Sequence, residues 1–493
     1  MPREVSCRRH RARRPAASEY RPYVSSSAPR KWNTGVVLTT LCLRNFKSFG
    51  DVSVPFGPFT LIYGSNGVGK SNLLDALRFL LAIGQGRSVR DAIEGHASAA
   101  GGPTATVMTG IRGGAQNLPR YAAQTSVFEL EVTLDNEQAG KITYTVAVDT
   151  SAYKIVREEL KAARHSGAYV FSTHPDVAPL KQAPDSPAIA ARYYTSSPGR
   201  NPSRSFSSHE FIINQFTGRK AETVANERWA DVVRRELAAL TPLELHPEVL
   251  RQYSPLGRFT LGEHGENFAA VTWSLLARAE IDQTVTESPG RAWPNIITAA
   301  RRDGLDLNDE SLDDETSDAR ARLAAICSWL AELTPRQIEG IAVEWAPTNE
   351  VIFSLFEAPH DRPLNARVLS DGTLRLAALA VALLGENRRE TFVIEEIENG
   401  VNPARVQLLL RLVETATRPG GGKQVIATTH APALLDSLSE SLRRYTLVLG
   451  WDEENETSVV TSLEDLPGLE EAEGTSSLGD LLTEGWVQMA ADR

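Results

Sequence analysis

The residues best suited to chemistry in this chain are a glycine run with a lysine and a serine, a pair of adjacent glutamates and a lone histidine. Gly64, Ser65, Asn66, Gly67, Val68, Gly69, Lys70 and Ser71 fit the pattern G-x-x-x-x-G-K-[ST], with Asn72 directly after it. Glycines allow backbone N–H groups to curl around a phosphate, and a helix N-terminus adds partial positive charge there. Lys70 would reach the β- and γ-phosphates of a nucleotide, and the Ser71 hydroxyl would bind Mg2+. Such a loop needs a carboxylate strand beside it. The run Thr391–Ile394 reads as a buried strand and ends in Glu395 and Glu396. In this position the first acid holds Mg2+ and the second polarises the attacking water, so Glu395 is the metal residue and Glu396 the general base. His430 follows another buried run, Gln424–Thr429, where an imidazole can sense the γ-phosphate and orient the water.

A second anion-binding feature is Leu369-Ser370-Asp371-Gly372-Thr373-Leu374-Arg375, followed by the nearly all-apolar run Leu376–Leu384. Ser370 and the amides near Gly372 belong at the N-terminus of a buried helix. They can cap the γ-phosphate of a nucleotide held by another subunit; spacing alone fits an ordinary capped helix equally well. Between these pieces, Glu398-Asn399-Gly400-Val401-Asn402-Pro403 reads as a turn, with Asn402 as N-cap and Pro403 opening a helix over 404–415.

The elements that must position these residues follow from periodicity. Phe59–Tyr63 is a short buried strand, and Leu73, Leu74, Leu77, Leu80 and Leu81 recur with helical spacing after the loop. Residues 37–56 read as a β-hairpin turning at Gly50-Asp51. Residues 95–114 read as a mobile glycine-rich loop, and 127–134 with 142–149 as an antiparallel pair that 155–160 continues. Residues 174–202 read as a Pro/Ser-rich loop, 223–240, 267–281 and 319–333 as helices, and 303–318 as an exposed acidic insertion. From Ile341 strands and helices alternate to Leu449, with Trp451 just past the last strand. The expected organisation is an N-terminal extension over 1–35, a first lobe over 36–165, a helical and loop-rich middle over 166–340, a second lobe over 341–450 and an acidic tail over 451–493. The extension is rich in Arg, Pro and Ser, so it reads as disordered or as an early start preceding the folded sequence near Val36.

GSNGVGKSN, LSDGTLR, FVIEEIENGVNP and TTHAP occur in the order seen in ABC-type ATPase heads, in the manner of the SMC, RecF and OLD-like group. NFKSF (Asn45–Phe49) also resembles that group, and the whole looks similar to the stand-alone AAA-type ATPases of bacterial defence operons. The resemblance covers residues 37–83 and 365–435 well and the middle loosely. It implies an α/β P-loop NTPase fold, an ABC-ATPase-like head with a mixed antiparallel β lobe and a helical middle region. It also implies ATP and Mg2+ as ligands and a head-to-head homodimer that sandwiches two ATP molecules. Under it, Ser370, Asp371 and Gly372 are signature residues acting in trans, Asn399, Gly400 and Asn402 form the D-loop, and His430 is the switch histidine. The glutamine that links the lobes in that family is sought at Gln215, in FIINQF. Two departures stand out: Asp371 replaces the first signature glycine of transporter ATPases, and Glu395 replaces the usual Asp.

Composition bounds the remaining choices. The 493 residues carry a net charge of −10, which excludes a uniformly basic nucleic-acid coat but leaves room for a local basic groove. Arg192, Arg200, Arg204, Arg219 and Lys220 interleave with Tyr193, Tyr194, Phe206 and Phe211, a combination able to bind single strands by charge and stacking. No apolar run approaches the ~20 residues that span a bilayer. The 3 cysteines are widely spaced and the 9 histidines show no ligand spacing, which reads as a reducing, cytoplasmic setting without a zinc site. The sequence shows no sustained heptad pattern, and no nuclease motif is visible after His430. With the family resemblance, the leading expectation is an ATPase that controls a separate effector protein or a nucleic-acid transaction, in phage defence for example. A RecF- or SMC-like repair ATPase is the alternative, and a transporter subunit the weakest reading.

Overall fold

The computed structural model describes residues 36–492 apart from 98–106, 121, 137–139, 166, 175–186, 196–200, 217–220, 280–282, 287–294, 302–313, 361, 387–389 and 419–421. The expected extension over 1–35 lies outside the described residues, as do most of the acidic insertion and Arg200, Arg219 and Lys220.

A six-stranded sheet carries the chemistry. Its strands run in the order Leu240–Leu243, Glu390–Ile394, Lys423–Thr429, Phe59–Tyr63, Thr446–Asp452 and Thr457–Ser462. The first five are parallel and the last pairs antiparallel at the edge. Both faces of the sheet are covered, as a parallel sheet requires. Phe59, Leu61 and Tyr63 enter one core while Ile62 enters the other. Phe392 and Ile394 likewise oppose Val393, so the period-2 alternation of each strand divides its side chains between two hydrophobic layers.

On one face lies the helix Lys70–Gly84, which buries Leu73, Leu74, Leu77, Phe79 and Leu80. An eight-stranded antiparallel sheet packs over it, from Ser203–Ser207 at one edge to Phe49–Pro55 at the other. Phe79 stands edge-on to Phe128 at 5.3 Å and to Phe211 at 5.8 Å, joining helix and sheet. The opposite face holds the helices Phe268–Arg278, Asp314–Leu333, Asp371–Leu384 and Val406–Thr417, together with a third sheet built on Ile338–Trp345 and Glu350–Glu357. The helix Asp371–Leu384 is apolar almost all round because it is buried almost all round.

Several sequence expectations need correction. The first hairpin turns at Lys47-Ser48, not at Gly50-Asp51: Arg44 pairs with Asp51, and Asn45 and Lys47 take φ of 55° and 50°. Lys47 is held in that conformation by its ammonium, which donates to Asp75 and to the Arg112 carbonyl, and by its N–H on Leu118 O. The glycine-rich loop closes with a short strand pair, Gly95–Ala97 with Val107–Thr109. The loop over 174–202 contains the strand Ala188–Tyr193, which pairs with Ser203–Ser207. The antiparallel sheet therefore runs well past residue 165, and Leu240–Leu243 then joins the parallel sheet. The middle of the chain contributes to both lobes' sheets and is not only helix and loop.

The acidic tail is folded. Trp451 lies inside a strand, and the chain returns antiparallel before three short helices, Leu469–Glu473, Leu478–Thr483 and Trp486–Ala491. Leu463, Leu466, Leu478, Leu481 and Val487 are buried in the main core, each contributing ~1.5–3 kcal/mol of burial. Their apolar spacing outweighs the surrounding charge, because the acids can stay on the solvent side of so short a helix.

Candidate functional site

The strand Phe59–Tyr63 ends under the glycine loop, and the loop opens directly into the helix that begins at Lys70. Gly69 has a φ of 109°, and a Cβ there would fall 2.6 Å from Ser458 Oγ and 2.7 Å from Ser48 Oγ, so only glycine allows the loop to pass between them. Lys70 is buried, and its ammonium donates to the carbonyls of Gly64 at 2.6 Å and Ser65 at 2.7 Å. Burial lowers its pKa to about 8, against the opposing pull of Glu396, Glu395 and Glu398. Asn72 donates to Ser48 Oγ at 2.9 Å, tying the helix to the first hairpin.

The strand Glu390–Ile394 delivers both acids to this loop. Ser71 Oγ donates to Glu395 Oε1 at 3.1 Å. Mg2+ takes oxygen ligands at ~2.1 Å in an octahedron, whose cis edge is about 3.0 Å. The pair thus has the donor type and spacing for one edge of such a shell. Arg112 approaches the other Glu395 oxygen at 3.8 Å and also pairs with the buried Asp75. Glu396 sits just past the strand with a φ of 50°, its N–H donating to Thr428 Oγ1. This left-handed turn directs its half-exposed carboxylate to within 3.8 Å of His430 Nε2. His430 leaves the strand Lys423–Thr429, and its N–H donates to Glu398 Oε1 at 2.8 Å. Burial and the nearby Lys70 hold its pKa below the usual imidazole value, despite Glu396, Glu398 and Glu395.

Ser370 caps the helix Asp371–Leu384, its Oγ accepting from Thr373 N–H. Asp371 pairs with Arg251 at 2.7 Å. Gly372 abuts Gly400: a Cβ on Gly372 would lie 2.3 Å from Gly400 O. Asn399 Oδ1 accepts from Arg375 at 2.8 Å, and Asn402 accepts from Ala404 N–H to cap a 3-10 turn, Pro403–Arg405, that precedes the helix starting at Val406. A cavity of about 260 Å³ lies between these pieces, lined among others by Arg112, Arg375, Glu395, Glu396 and Asn399.

Gln215 is not brought to this cluster. Its carboxamide is taken up by Ser207 and Glu210 backbone groups. The adjacent Asn214 donates to Ile83 O at the far end of the loop helix, ~20 Å along the axis from Lys70 at 1.5 Å per residue. Nor do the interleaved aromatics offer a stacking surface. Phe206 and Phe211 are core residues, and Tyr193 and Tyr194 pack on Phe216 and His165.

Two contributors carry no motif. Gln488, on the last short helix, accepts from the Ser65 N–H at 2.7 Å. Its own NH2 donates to Leu449 O and Asp492, which fixes it against the sheet. Beside the first hairpin, Lys47, Ser48, Arg120 and Trp451 line a cavity of about 480 Å³. Trp451 and Gln488 lie nearly four hundred residues or more from the loop in sequence, so no local pattern could have singled them out.

Two AAA-domain family models match the chain, one described as "AAA domain" over residues 40–175 and one as "AAA domain, putative AbiEii toxin, Type IV TA system" over residues 237–436. A chromosome partition protein Smc of Synechocystis sp. (strain ATCC 27184 / PCC 6803 / Kazusa) is 50% identical over 50 residues, 10% of this chain and only 4% of that protein's length. Among solved structures, an SmcHead bound to the C-winged helix domain of ScpA aligns at 15% identity and a TM-score of 0.42, covering 87% of this chain and 98% of its own. The SMC head domain from Thermotoga maritima aligns at 13% and 0.36, covering 86% and 98%. An Smc head with an extended coiled coil, bound to the C-terminal domain of ScpA derived from Pyrococcus furiosus, aligns at 14% and 0.42, covering 89% and 100%. The two AAA-domain matches divide the site between them: residues 40–175 hold the glycine loop with Lys70 and Ser71, and residues 237–436 hold Ser370, Glu395, Glu396 and His430, so this chain carries AAA-domain sequence on both halves of its candidate site.

Proposed function

We propose that the chain binds ATP with Mg2+ at Gly64–Asn72 and hydrolyses it within a homodimer that sandwiches the nucleotide, controlling a separate effector protein or a nucleic-acid transaction. The observation that carries this reading is the Ser71–Glu395 contact, which sets two hard oxygen ligands beside a buried lysine. Bound Mg2+ would neutralise charge on the phosphates. Lys70 turns from its own loop carbonyls to the β- and γ-phosphates when nucleotide arrives. Glu396 accepts the proton of the attacking water, and His430, neutral near pH 7, orients that water from the other side. Ser370, Asp371 and Gly372 cap the γ-phosphate of the partner's nucleotide through the helix N-terminus, and Asn399, Gly400 and Asn402 couple that cap to the acids of the same chain.

The description of the second family model, which names a putative toxin of a Type IV TA system, is what supports a defence setting for this reading. No helix among the described residues is long and apolar enough to cross a membrane. Sedimentation of Glu396→Gln with and without ATP tests the sandwich: an ATP-dependent dimer is expected, and a variant that stays monomeric at saturating ATP overturns it. Lys70→Ala should lose nucleotide binding; retained binding refutes the site itself.

A further inference from the structure

The histidines show no ligand spacing along the sequence, yet two of them meet in space. The strand Leu240–Leu243 leads into the segment Glu244, Leu245 and His246, which is extended at His246 ahead of the short helix Pro247–Leu250. It is laced to a second segment by Glu244 N–H on Glu263 O at 2.8 Å and His246 N–H on His264 O at 3.0 Å. This brings one ligand atom each from Glu244, His246 and His264 within 4.8 Å of one another. The two rings stack with centroids 4.5 Å apart at 23°, so one ring must turn for both to aim a nitrogen at a shared ion.

We propose that Glu244, His246 and His264 form a binding site for a divalent transition metal, with Zn2+ the ion that fits best. The clustering of the ligand atoms and the partners of each ring carry the argument. His264 Nδ1 lies 3.3 Å from the Glu244 carbonyl, which can only accept, so the proton is on Nδ1 and the Nε2 lone pair is left for a metal. His246 Nδ1 faces the Glu248 carboxylate at 3.7 Å while its Nε2 faces Glu244 Oε1 at 3.4 Å. A ligating histidine held by a carbonyl or carboxylate on its other nitrogen is the usual outer-shell arrangement of metal sites. Arg78 approaches the second Glu244 oxygen at 3.9 Å and leaves Oε1 to the imidazoles. Two imidazoles and one carboxylate with an open fourth position suit Zn2+ and not Mg2+ or Ca2+, which take oxygen ligands. Tetrahedral arms of ~2.0–2.1 Å place ligand atoms about 3.3 Å apart. The partly exposed His246 and Glu244 side chains have room to close that gap.

The site borders the nucleotide site: Glu244 and His246 line the same cavity as Glu395 and Glu396. Leu243 O accepts the Glu395 N–H, and Leu245 O accepts from Arg375, so the metal would clamp the segment that steadies both.

The test is calorimetric titration of Zn2+ into the tag-free full-length chain with Mg2+ in excess. One Zn2+ per chain is expected. His246→Ala with His264→Ala should weaken it by on the order of 100-fold or more, and Glu248→Gln by roughly 10-fold, the range seen when ligands' outer-shell partners are removed. Cys42→Ser should leave it unchanged. Unaltered affinity in the double histidine variant overturns the site. X-ray absorption of the Zn2+-loaded natural sequence needs no variant: nitrogen and oxygen scatterers with imidazole features are expected, and sulfur ligation would refute the assignment.

Discussion

The Ser71 hydroxyl donates to the Glu395 carboxylate at 3.1 Å, joining residues 324 positions apart. The glutamate side chain, one methylene longer than aspartate, reaches the first turn of the loop helix directly. Glu395→Gln keeps the acceptor for Ser71 but removes the charge. Its Mg2+ half-saturation for nucleotide binding should rise by ~10-fold or more, the scale of a lost charge-assisted interaction. Glu395→Asp, which withdraws the carboxylate by one methylene, should fall between the two. A Mg2+ titration that does not separate the three proteins would count against the metal role.

Lys70 predicts a proton linkage. Its pKa of about 8 without nucleotide lies below the ordinary lysine value because burial disfavours the charge. A bound phosphate favours the charged form, so binding must raise that pKa and take up protons. Affinity is therefore greatest below pH 8 and declines above it, by up to ~10-fold per pH unit until the raised pKa is passed. Titrations near pH 8 in two buffers of different ionisation heat should reveal proton uptake. Lys70→Arg, which stays charged, should abolish it; equal heats in both buffers for the natural sequence would refute the linkage.

Gln488 positions the loop from the chain's last helix. Replacing it with leucine leaves the Ser65 N–H without its acceptor, a loss of about 1–1.5 kcal/mol in a modest hydrogen bond. Nucleotide affinity should weaken by ~5–10-fold with kcat little changed, and Gln488→Asn should not restore it because the shorter side chain cannot reach. An unchanged KM in Gln488→Leu would show that the contact is incidental.

Gly372 and Gly400 hold the two turns of the cap together. An alanine at 372 would drive Cβ to 2.3 Å from the Gly400 carbonyl, and that neighbour is backbone, so one turn must shift. A destabilisation of ~1–3 kcal/mol is expected in urea denaturation, in the range of other overpacked sites. The Arg375–Asn399 bond should loosen with it, and ATP-dependent dimerisation should drop more than nucleotide binding does. Equal losses in both would argue against a coupling role for this pair.

Glu158 reports on the lobe that the middle of the chain completes. It is fully buried, accepting from Tyr144 OH and from the N–H groups of Ile212 and Ile213. Burial raises its pKa to about 7, although those three donors pull the other way. A carboxyl raised from its unfolded value of 4.5 contributes stability that is full below pH 4.5 and is lost as pH rises through about 7. Urea midpoints measured from pH 5 to 8 should carry that slope. Glu158→Gln, which does not titrate, should lack it; an identical slope in the variant would assign it elsewhere.

The strand, loop and helix over 59–84, the acids after Ile394 and the capped helix after Ser370 were all legible in the residues. Each is a local pattern: a short apolar run, glycines at fixed spacing, a serine ahead of a helical period. The chain's own order also determined which acid follows the strand and that His430 ends the next one. Tertiary structure alone decided the rest. The turn at Lys47 is set by Asp75, a residue on another element. Gln215 is a plausible polar residue whose amide is spent on Ser207 and Glu210. The acidic last segment folds because leucines scattered among its charges meet one core. Gln488 at the loop, and Glu244 with His246 and His264, arise from pairings between segments that share no spacing. Local patterns record what a residue's neighbours in the chain require, while meetings across the fold depend on sheet order and register, which a single strand's composition does not encode.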